Sequence, residues 1–203
     1  MTASTGGSLL PFLGNVALAG IWALYTWARL GRWLEDQAPV ALALVARNTA
    51  VTLVFLCRRP ARTASRDLKE WAVALAGTFM GYFYSEAEPL LPQAGTALMI
   101  LAALLGTLST LALGRSFGIV PANRGVKTGG PYSLVRHPLY SSYLVFDVGF
   151  LLQAASLWNG LVFALGALTI YLRGRFEERF LSLDPEYRAY AARTRYMLIP
   201  GII

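Results

Sequence analysis

Long apolar stretches alternate with short polar segments along the whole chain. Six of these stretches approach the roughly 20 apolar residues that an α-helix needs to cross the hydrocarbon core of a bilayer. They lie at about residues 9–30, 38–57, 71–91, 95–114, 139–156 and 157–173. Only a turn near residues 156–159 separates the last two, which predicts a tight helical hairpin. The pattern therefore predicts an all-α, polytopic transmembrane helix bundle that forms one membrane domain over residues 1–203.

Two polar segments interrupt this pattern in the second half of the chain. Residues 115–138 contain four glycines and three prolines without a sustained apolar period, which is typical of an ordered loop. Residues 173–203 begin as an extension of the last span and then carry a short amphipathic piece, EYRAYAARTRY. Both segments are long enough to form a cap over one end of the bundle.

The composition indicates an integral membrane protein. Hydrophobic residues make up 56% of the chain and charged residues 14%, whereas a soluble domain carries about 25% charged residues. The chain has one cysteine, Cys57, and one histidine, His137. It therefore cannot form an internal disulfide, and these side chains cannot build a zinc site or a bis-histidine haem site. We expect no bound metal.

The positions of the basic residues predict the orientation of the chain in the membrane. Five, four and six of the 18 Lys and Arg residues lie in residues 58–69, 115–136 and 173–195. By the positive-inside rule these three segments share the cytoplasmic side, where they suit anionic lipid headgroups. Residues 86–94 are acidic and lack Lys and Arg, as an outer loop should. No nucleic-acid-binding motif is present, so we expect the lipid bilayer as a partner and no nucleic acid.

The number of spans depends on the connection after the first apolar stretch. There Arg29 and Arg32 offset Glu35 and Asp36, so the charge rule assigns this connection to neither side. Six spans would place both termini in the cytoplasm. Five spans would result if one early segment is re-entrant or lies in the interface.

Polar residues are concentrated at the start of the hairpin. The sequence GGPYSLVRHPLYSSY, residues 129–143, places His137 between Arg136 and Pro138. Proline suits the first turn of a helix, and the N–H groups of that turn favour an anionic or electron-rich ligand group. Alternatively, His137 only caps the helix in the headgroup region.

Two adjacent glutamates follow the last span. If the helix continues, Glu177 stands four residues after Arg173, and Glu178 stands three residues after Arg175. Such pairs at a surface would contribute only tenths of a kcal/mol each. The alternative is that one or both carboxylates belong to a site.

Asp147 lies ten residues after His137, inside a predicted span. An unpaired charge at this depth is costly, so Asp147 is expected to face the bundle interior, towards Arg47 or Asn48. Its role is either to stabilise the fold or to line a ligand pathway.

The sequence GTFMG at residues 77–81 is a GxxxG motif. Such a motif lets two membrane helices approach closely. Because the chain is rich in alanine and glycine, we interpret it as ordinary packing between helices of this chain.

The order of these motifs resembles the isoprenylcysteine carboxyl methyltransferase family. GRSF, TGGPY, RHPLY, a helical hairpin, EE and EYRAY follow one another within residues 106–200. That family belongs to a wider group of membrane methyltransferases that includes phospholipid N-methyltransferases. The resemblance implies a methyltransferase core in residues 106–203 and early transmembrane helices in residues 1–105.

The resemblance also implies that S-adenosylmethionine binds between the loop before the hairpin and the tail after it. The implied cofactor-binding residues are Val126, Lys127, Thr128, Gly129, Gly130, Tyr132, His137, Pro138, Tyr140 and Glu177. Arg173 matches an arginine that the family assigns to the substrate, and Glu178 completes the EE motif. Arg173 and Glu178 are therefore the catalytic candidates, and Arg173 and Asp147 the candidates for binding the acceptor.

Two positions depart from the family pattern. Ser141 follows RHPLY where glycine is common. Asp184-Pro185 stands where a Phe-Gly pair is common, in a connector that is shorter than usual. These departures bear on the acceptor more than on the cofactor.

The chemistry of methyl transfer suits a chain with so few polar residues. An in-line displacement onto a carboxylate or thiolate depends on alignment and desolvation more than on a covalent nucleophile. Glu177 can pair with the cofactor's ammonium group, and tyrosine faces attract a sulfonium cation. Arg173 can bind an acceptor carboxylate through two hydrogen bonds. An amine acceptor would need a base, for which Glu178 is the nearest candidate.

The resemblance implies an S-adenosylmethionine-dependent methyltransferase, which we expect in a bacterial inner membrane with its active site on the cytoplasmic side. Its acceptor is hydrophobic or membrane-delivered and similar to an isoprenylcysteine carboxylate. A phospholipid amine or a small thiol is an alternative acceptor. An NADPH-dependent membrane reductase and a non-catalytic membrane protein are the alternatives from other classes. The sequence leaves the oligomeric state open.

Overall fold

The computed structural model describes residues 9–202, and seven α-helices account for most of this range. The helices are α1 Leu9–Asp36, α2 Pro39–Cys57, α3 Leu68–Phe79, α4 Pro92–Leu113, α5 Pro138–Gln153, α6 Leu157–Leu181 and α7 Pro185–Arg193. Short 3₁₀ helices follow or precede them at Met80–Phe83, Gly114–Ser116 and Gly130–Ser133. The prediction of a mainly helical protein is confirmed.

Three helices in the described range are long and apolar enough to cross a membrane. They are α2, α4 with its 3₁₀ extension to Ser116, and α6. Helices α3 and α5, with 12 and 16 residues, are shorter than a typical membrane span. The structure therefore supports a membrane protein, and the number of five or six spans stays a prediction.

Helices α4 and α5 pack closely because glycines face each other. A Cβ atom on Gly149 would lie 2.9 Å from the carbonyl oxygen of Gly95, and a Cβ atom on Gly95 would lie 2.7 Å from that of Gly149. Neither position has space for a side chain. Small residues at a membrane helix interface allow such close backbone approach.

The three basic segments meet at one end of the bundle, which we call the polar end and define as residues 58–67, 114–137 and 182–198. The backbone N–H of Arg59 donates to the carbonyl of Arg115 at 2.8 Å. The side-chain amide of Asn123 donates to the Asp184 carboxylate at 2.6 Å. These bonds join all three segments at one end of the bundle, and the side of the membrane on which this end lies stays a prediction.

A short antiparallel pair of strands in the polar end was not expected from the sequence. Strand β1, Thr63–Ala64, pairs with β2, Ala122–Asn123. Flanking hydrogen bonds run from Arg62 N to Asn123 O at 2.8 Å and from Ser65 N to Pro121 O at 2.9 Å. The strands are too short to show an alternating pattern, and they form because backbone groups of two loops satisfy each other.

The third predicted apolar helix, residues 71–91, ends earlier than expected. Regular helix stops at Phe79, and a 3₁₀ turn continues only to Phe83. The buried side chain of Asn159 then binds the backbone of Ser85, accepting from its N–H at 3.0 Å and donating to its carbonyl at 2.9 Å. These bonds fix the backbone of residue 85 at the end of the bundle opposite the polar end.

Candidate active site

The start of α5 lies beside the C-terminal tail. The backbone N–H of Arg136 donates to the carbonyl of Tyr196, and that of His137 donates to the carbonyl of Met197, both at 2.9 Å. Pro138 begins α5 and is fully buried. The Ser141 hydroxyl donates to the carbonyl of Leu198. The loop before the hairpin and the tail after it are therefore in direct contact.

A tight turn leads into this motif. Gly130 has a φ angle of +61°, a left-handed conformation that favours glycine, and it begins the 3₁₀ turn Gly130–Ser133. The turn carries the buried Tyr132, whose carbonyl accepts a hydrogen bond from the Tyr190 hydroxyl at 2.6 Å. Burial raises the pKa of Tyr132 well above its usual range and that of Tyr190 to about 12. Both phenols are therefore protonated at neutral pH.

His137 lies against both glutamates of the EE motif. Its buried imidazole stacks on Tyr140, with ring centroids 5.2 Å apart and planes 5° from parallel. Nδ1 lies 3.9 Å from Glu177 Oε2, and Nε2 lies 3.4 Å from Glu178 Oε1. No atom in the described residues satisfies Nε2 with a well-directed hydrogen bond. The imidazole and both carboxylates thus share one end of the bundle.

Glu178 is bound by Arg136 through both carboxylate oxygens. Nε of Arg136 donates to Oε1, and Nη2 donates to Oε2 at 3.0 Å. Nη1 of the same guanidinium donates to the carbonyl of Thr194 at 2.9 Å. Burial lowers the pKa of Arg136, but the hydrogen bond and charge of Glu178 outweigh this and raise it. Arg136 therefore links the RHP motif, α6 and the C-terminal tail.

Glu177 takes a different partner from its neighbour. The Tyr140 hydroxyl donates to Glu177 Oε2 at 2.6 Å. On the same ring, the Arg173 guanidinium lies 4.8 Å from the centroid. The ion pairs of Arg173 with Glu177 and of Arg175 with Glu178, which helical spacing alone would suggest, do not form within the described residues.

Arg173 is a buried cation without a carboxylate partner in the described residues. Its side chain is held by the Ile119 carbonyl, which accepts from Nη2 at 2.6 Å, and by a longer contact of 3.3 Å from Nη1 to Thr78 Oγ1. Nε has no hydrogen-bond acceptor. This leaves a guanidinium with unused donors inside the protein, beside the Tyr140 ring.

A cleft opens beside these residues at the polar end. It encloses about 70 Å³, and its empty space including the open mouth is about 680 Å³. Six of the residues predicted to bind the cofactor line it, namely Val126, Lys127, Tyr132, His137, Tyr140 and Glu177. Its other walls are Leu113, Ser116, Gly118, Ala122, Gly125, Arg136, Leu139, Leu181, Tyr187 and Tyr190.

The remaining predicted site residues lie outside the lining of this cleft. The segment that leads into the turn is exposed at Thr128, Gly129 and Gly130. Pro138 is buried beneath His137, whereas Glu178 contacts His137 from the side of Arg136. Arg173 lies behind Tyr140.

Asp147 is separate from the cleft, two to three turns along α5 from His137. A Cβ atom at Gly166 would lie 3.8 Å from Asp147 Oδ2, so the carboxylate faces α6. The Arg47 guanidinium lies 5.3 Å from the ring centroid of Tyr143. The structure therefore places Asp147 inside the bundle and not among the residues around His137.

Two tyrosines of the cleft were not among the predicted site residues. Tyr187 and Tyr190 lie at i and i+3 on α7, are buried, and form one wall of the cleft. Burial raises the pKa of Tyr187. Their i, i+3 spacing in EYRAY could have predicted this wall, because it places both tyrosines on one face of the helix.

Comparisons with known proteins agree with the motifs. Residues 90–184 match the family model described as phospholipid methyltransferase. The resemblance predicted from the sequence is thereby confirmed for this part of the chain, which includes the loop, the hairpin and the EE motif.

One characterised relative matches a shorter stretch. The cobalt-zinc-cadmium resistance protein CzcN of Cupriavidus metallidurans is 43% identical over 74 residues. The match covers 36% of this chain, and this chain covers only about a third of that protein's length, 34%. Within residues 9–202, no three His, Cys, Asp or Glu side chains come together as metal ligands.

Proposed function

We propose, from the match of residues 90–184 to the phospholipid methyltransferase family and from the cleft around His137, that the protein transfers a methyl group from S-adenosylmethionine to a hydrophobic or membrane-delivered acceptor. The catalytic core would comprise residues 106–203, and residues 1–105 would supply the early membrane helices. The observation that carries the proposal is that loop and tail, on either side of the hairpin, form one cleft of mixed charge. The family resemblance implies that the cofactor binds between these two segments, so they must be adjacent.

The residues of the cleft fit the functional groups of S-adenosylmethionine. Glu177 suits the ammonium group, and Lys127 suits the carboxylate at the mouth. Leu113, Leu139 and Leu181 offer an apolar wall for the adenine ring. Within the described residues, the buried Tyr132 hydroxyl has no partner and His137 Nε2 has no well-directed hydrogen bond, and such atoms are costly unless a ligand or water satisfies them. When bound, the cofactor would supply an electrophilic methyl group on a sulfonium.

Arg173 is the residue that we assign to the acceptor. Its guanidinium is buried, contacts the Tyr140 ring of the cleft, and has no carboxylate within 4 Å in the described residues. A buried charge without a counter-charge is unfavourable. An anionic group on the acceptor, either a carboxylate or a phosphate, would supply this counter-charge and orient the acceptor towards the cleft.

Two kinds of acceptor differ in whether they need Glu178 as a base. A carboxylate or thiolate already carries the electron pair that forms the new bond, so no base is needed. A phospholipid amine must lose a proton, and Glu178 would have to take it although Arg136 binds both of its oxygens. If the acceptor is an amine, Glu178→Gln lowers the turnover number far more than it weakens cofactor binding. The engaged carboxylate favours the first kind of acceptor.

The charge distribution supports an orientation in the membrane. We place the polar end, with its three basic segments, in the cytoplasm of a bacterial inner membrane, in agreement with the positive-inside rule. Five or six spans are consistent with this orientation. The water-soluble cofactor would reach the cleft from the cytoplasm, and the acceptor from the bilayer.

Equilibrium dialysis of the detergent-purified protein with labelled S-adenosylmethionine tests the proposal. We expect saturable binding that Glu177→Gln weakens at least tenfold and His137→Ala weakens similarly. Glu86→Gln, an exposed carboxylate between α3 and α4, is the matched control and should bind as the wild type does. Binding that is unchanged in both His137→Ala and Glu177→Gln would contradict the proposal, and preferential binding of NADPH would favour the reductase.

A further inference from the structure

Helix α3 is attached to the bundle through one neighbour. Among the α-helices of the described range, α6 is the only one with which α3 makes more than isolated contacts. We call their interface the α3–α6 seam and define it by Glu70, Gly77 and Thr78 on α3 and Thr169, Arg173 and Arg179 on α6. An element held on one side alone can move away at a lower cost than one that is enclosed.

The centre of the seam depends on Gly77, the first glycine of the GTFMG motif. A Cβ atom at Gly77 would lie 3.3 Å from Thr169 Oγ1, closer than ordinary contact. A Cβ atom at Gly81, the second glycine of the motif, would meet nothing within 4 Å. Only one half of the GxxxG motif therefore serves helix packing, and it does so next to Arg173.

The seam is polar for a contact between two membrane helices, and its hydrogen bonds are incomplete. Thr78 approaches Arg173 only through the 3.3 Å contact, and Arg173 Nε has no acceptor. Near the polar end, the buried Glu70 accepts from Arg179 Nη2 at 2.9 Å through Oε1, while Oε2 has no partner. Buried polar atoms are normally satisfied, so these exceptions require an explanation.

The seam opens into a second pocket at the polar end. This pocket holds about 760 Å³ of empty space including open solvent, and Glu70, Arg179 and Phe180 are among its walls. Phe180 lies seven residues after Arg173 and therefore on the same face of α6. Leu183, 80% exposed, lines the pocket, and Leu68, 82% exposed, directly follows the lining residue Asp67. Charged walls beside exposed leucines suit the headgroup and first methylene groups of an amphiphile.

We infer that the acceptor is an amphiphile with an anionic group and that it enters the active site through the α3–α6 seam. Its anionic group would bind Arg173, which touches the seam through Thr78 and the cofactor cleft through Tyr140. The Glu70–Arg179 ion pair closes the mouth of the seam at the polar end. This inference rests on the proposed function, since it takes Arg173 as the meeting point of acceptor and donor.

Photolabelling in lipid nanodiscs tests this inference without requiring turnover. Two probes of equal chain length carry the same diazirine, one on a fatty carboxylate and one on a fatty amine, and mass spectrometry maps the labelled peptides. The variant Gly77→Leu fills the seam. Gly81→Leu, with the same added side chain in open space four residues later, is the matched control. Binding of labelled S-adenosylmethionine is measured on every sample.

We expect the carboxylate probe to label α3 and α6 around Thr78 and Arg173 at least fivefold more than the amine probe. Gly77→Leu should reduce this labelling at least fivefold while cofactor binding stays within twofold, and Gly81→Leu should change neither. Equal labelling by both probes, or unchanged labelling in Gly77→Leu, would overturn the inference. If the wild-type protein does not bind labelled S-adenosylmethionine, the proposed function is overturned instead.

A second variant decides the outcome if Gly77→Leu does not fold. Glu70→Gln keeps the shape of the side chain and removes the charge that holds Arg179 across the mouth of the seam. We expect labelling by the carboxylate probe to rise at least twofold, because the mouth opens more easily and repels an anion less. Labelling that is unchanged or lower, in protein that still binds the cofactor, would contradict the inference.

Discussion

Arg136 and Glu178, 42 residues apart in the chain, form a two-point ion pair that joins the start of α5 to the end of α6. The third branch of the Arg136 guanidinium reaches the carbonyl of Thr194 in the tail. One side chain thus joins three segments that are distant in sequence. The ion pair ties the two ends of the hairpin together at the point where the histidine and the EE motif meet.

Replacing Arg136 by lysine should destabilise the polar end. An ammonium group can make one of these contacts but not the planar set of three, so Glu178 would lose one of its two hydrogen bonds. We expect a loss of about 1–3 kcal/mol in the free energy of unfolding, the range for losing a hydrogen bond to a charged group in this part-buried pair. Thermal or denaturant unfolding in detergent measures it. Arg188→Lys, at an exposed position on α7, is the control, and an equal loss there would refute this role of Arg136.

Gly130 should be far less tolerant of substitution than its neighbour Gly129. Alanine at Gly130 must adopt a φ of +61°, which costs roughly 1–2 kcal/mol. At Gly129 the φ angle is −99°, and a Cβ atom there would meet nothing within 4 Å. Gly130→Ala should therefore lower the unfolding free energy and weaken cofactor binding, whereas Gly129→Ala should do neither. Equal effects of the two variants would show that the turn does not depend on the left-handed conformation.

The helices and the loop were predictable because local properties encode them. The lengths of the apolar stretches gave α2, α4 and α6, and the glycines and prolines of residues 115–138 excluded a long helix there. The early end of α3 was not predictable. It depends on Asn159, 74 residues away, which takes the backbone bonds of Ser85.

Part of the candidate site was also predictable, namely which residues would gather around His137. Their exact partners were not predictable. Helical spacing offered Arg175 to Glu178, but tertiary packing brings Arg136 to it and leaves Arg175 exposed. Which arginine pairs with Glu178 depends on how the tail packs against the hairpin. The periodic pattern of the sequence does not encode this packing. The same holds for the two strands of the polar end.

Asp184 should give the protein a specific acid sensitivity. The hydrogen bond from Asn123, followed by that from the Glu186 backbone N–H, lowers the pKa of Asp184. A carboxylate with a lowered pKa contributes stability above its unfolded pKa of about 3.9, and loses that contribution as the pH falls through the folded value. The melting temperature of Asp184→Asn should therefore lie below that of the wild type at pH 6, and the gap should close below about pH 4. Glu186→Gln, on the first turn of the same helix, serves as the control. A gap that is independent of pH would contradict this assignment.

Asn159 should stabilise the fold without affecting the site. Its buried side chain binds both backbone groups of Ser85 and the carbonyl of Ala154, at the end of the bundle opposite His137. Asn159→Ala leaves these groups without partners, and we expect a loss of roughly 2–3 kcal/mol in unfolding free energy. Cofactor affinity at low temperature, measured by dialysis, should stay within twofold of the wild type. A large loss of affinity in folded protein would mean that the two ends of the bundle are coupled.

Hydrogen–deuterium exchange with and without S-adenosylmethionine tests most directly whether loop and tail together form the donor site. We predict that the cofactor slows exchange in two separate segments, residues 125–137 and residues 185–198, and leaves residues 84–91 at the opposite end unchanged. Protection of only one of the two segments, or of neither in protein that is folded, would contradict the account.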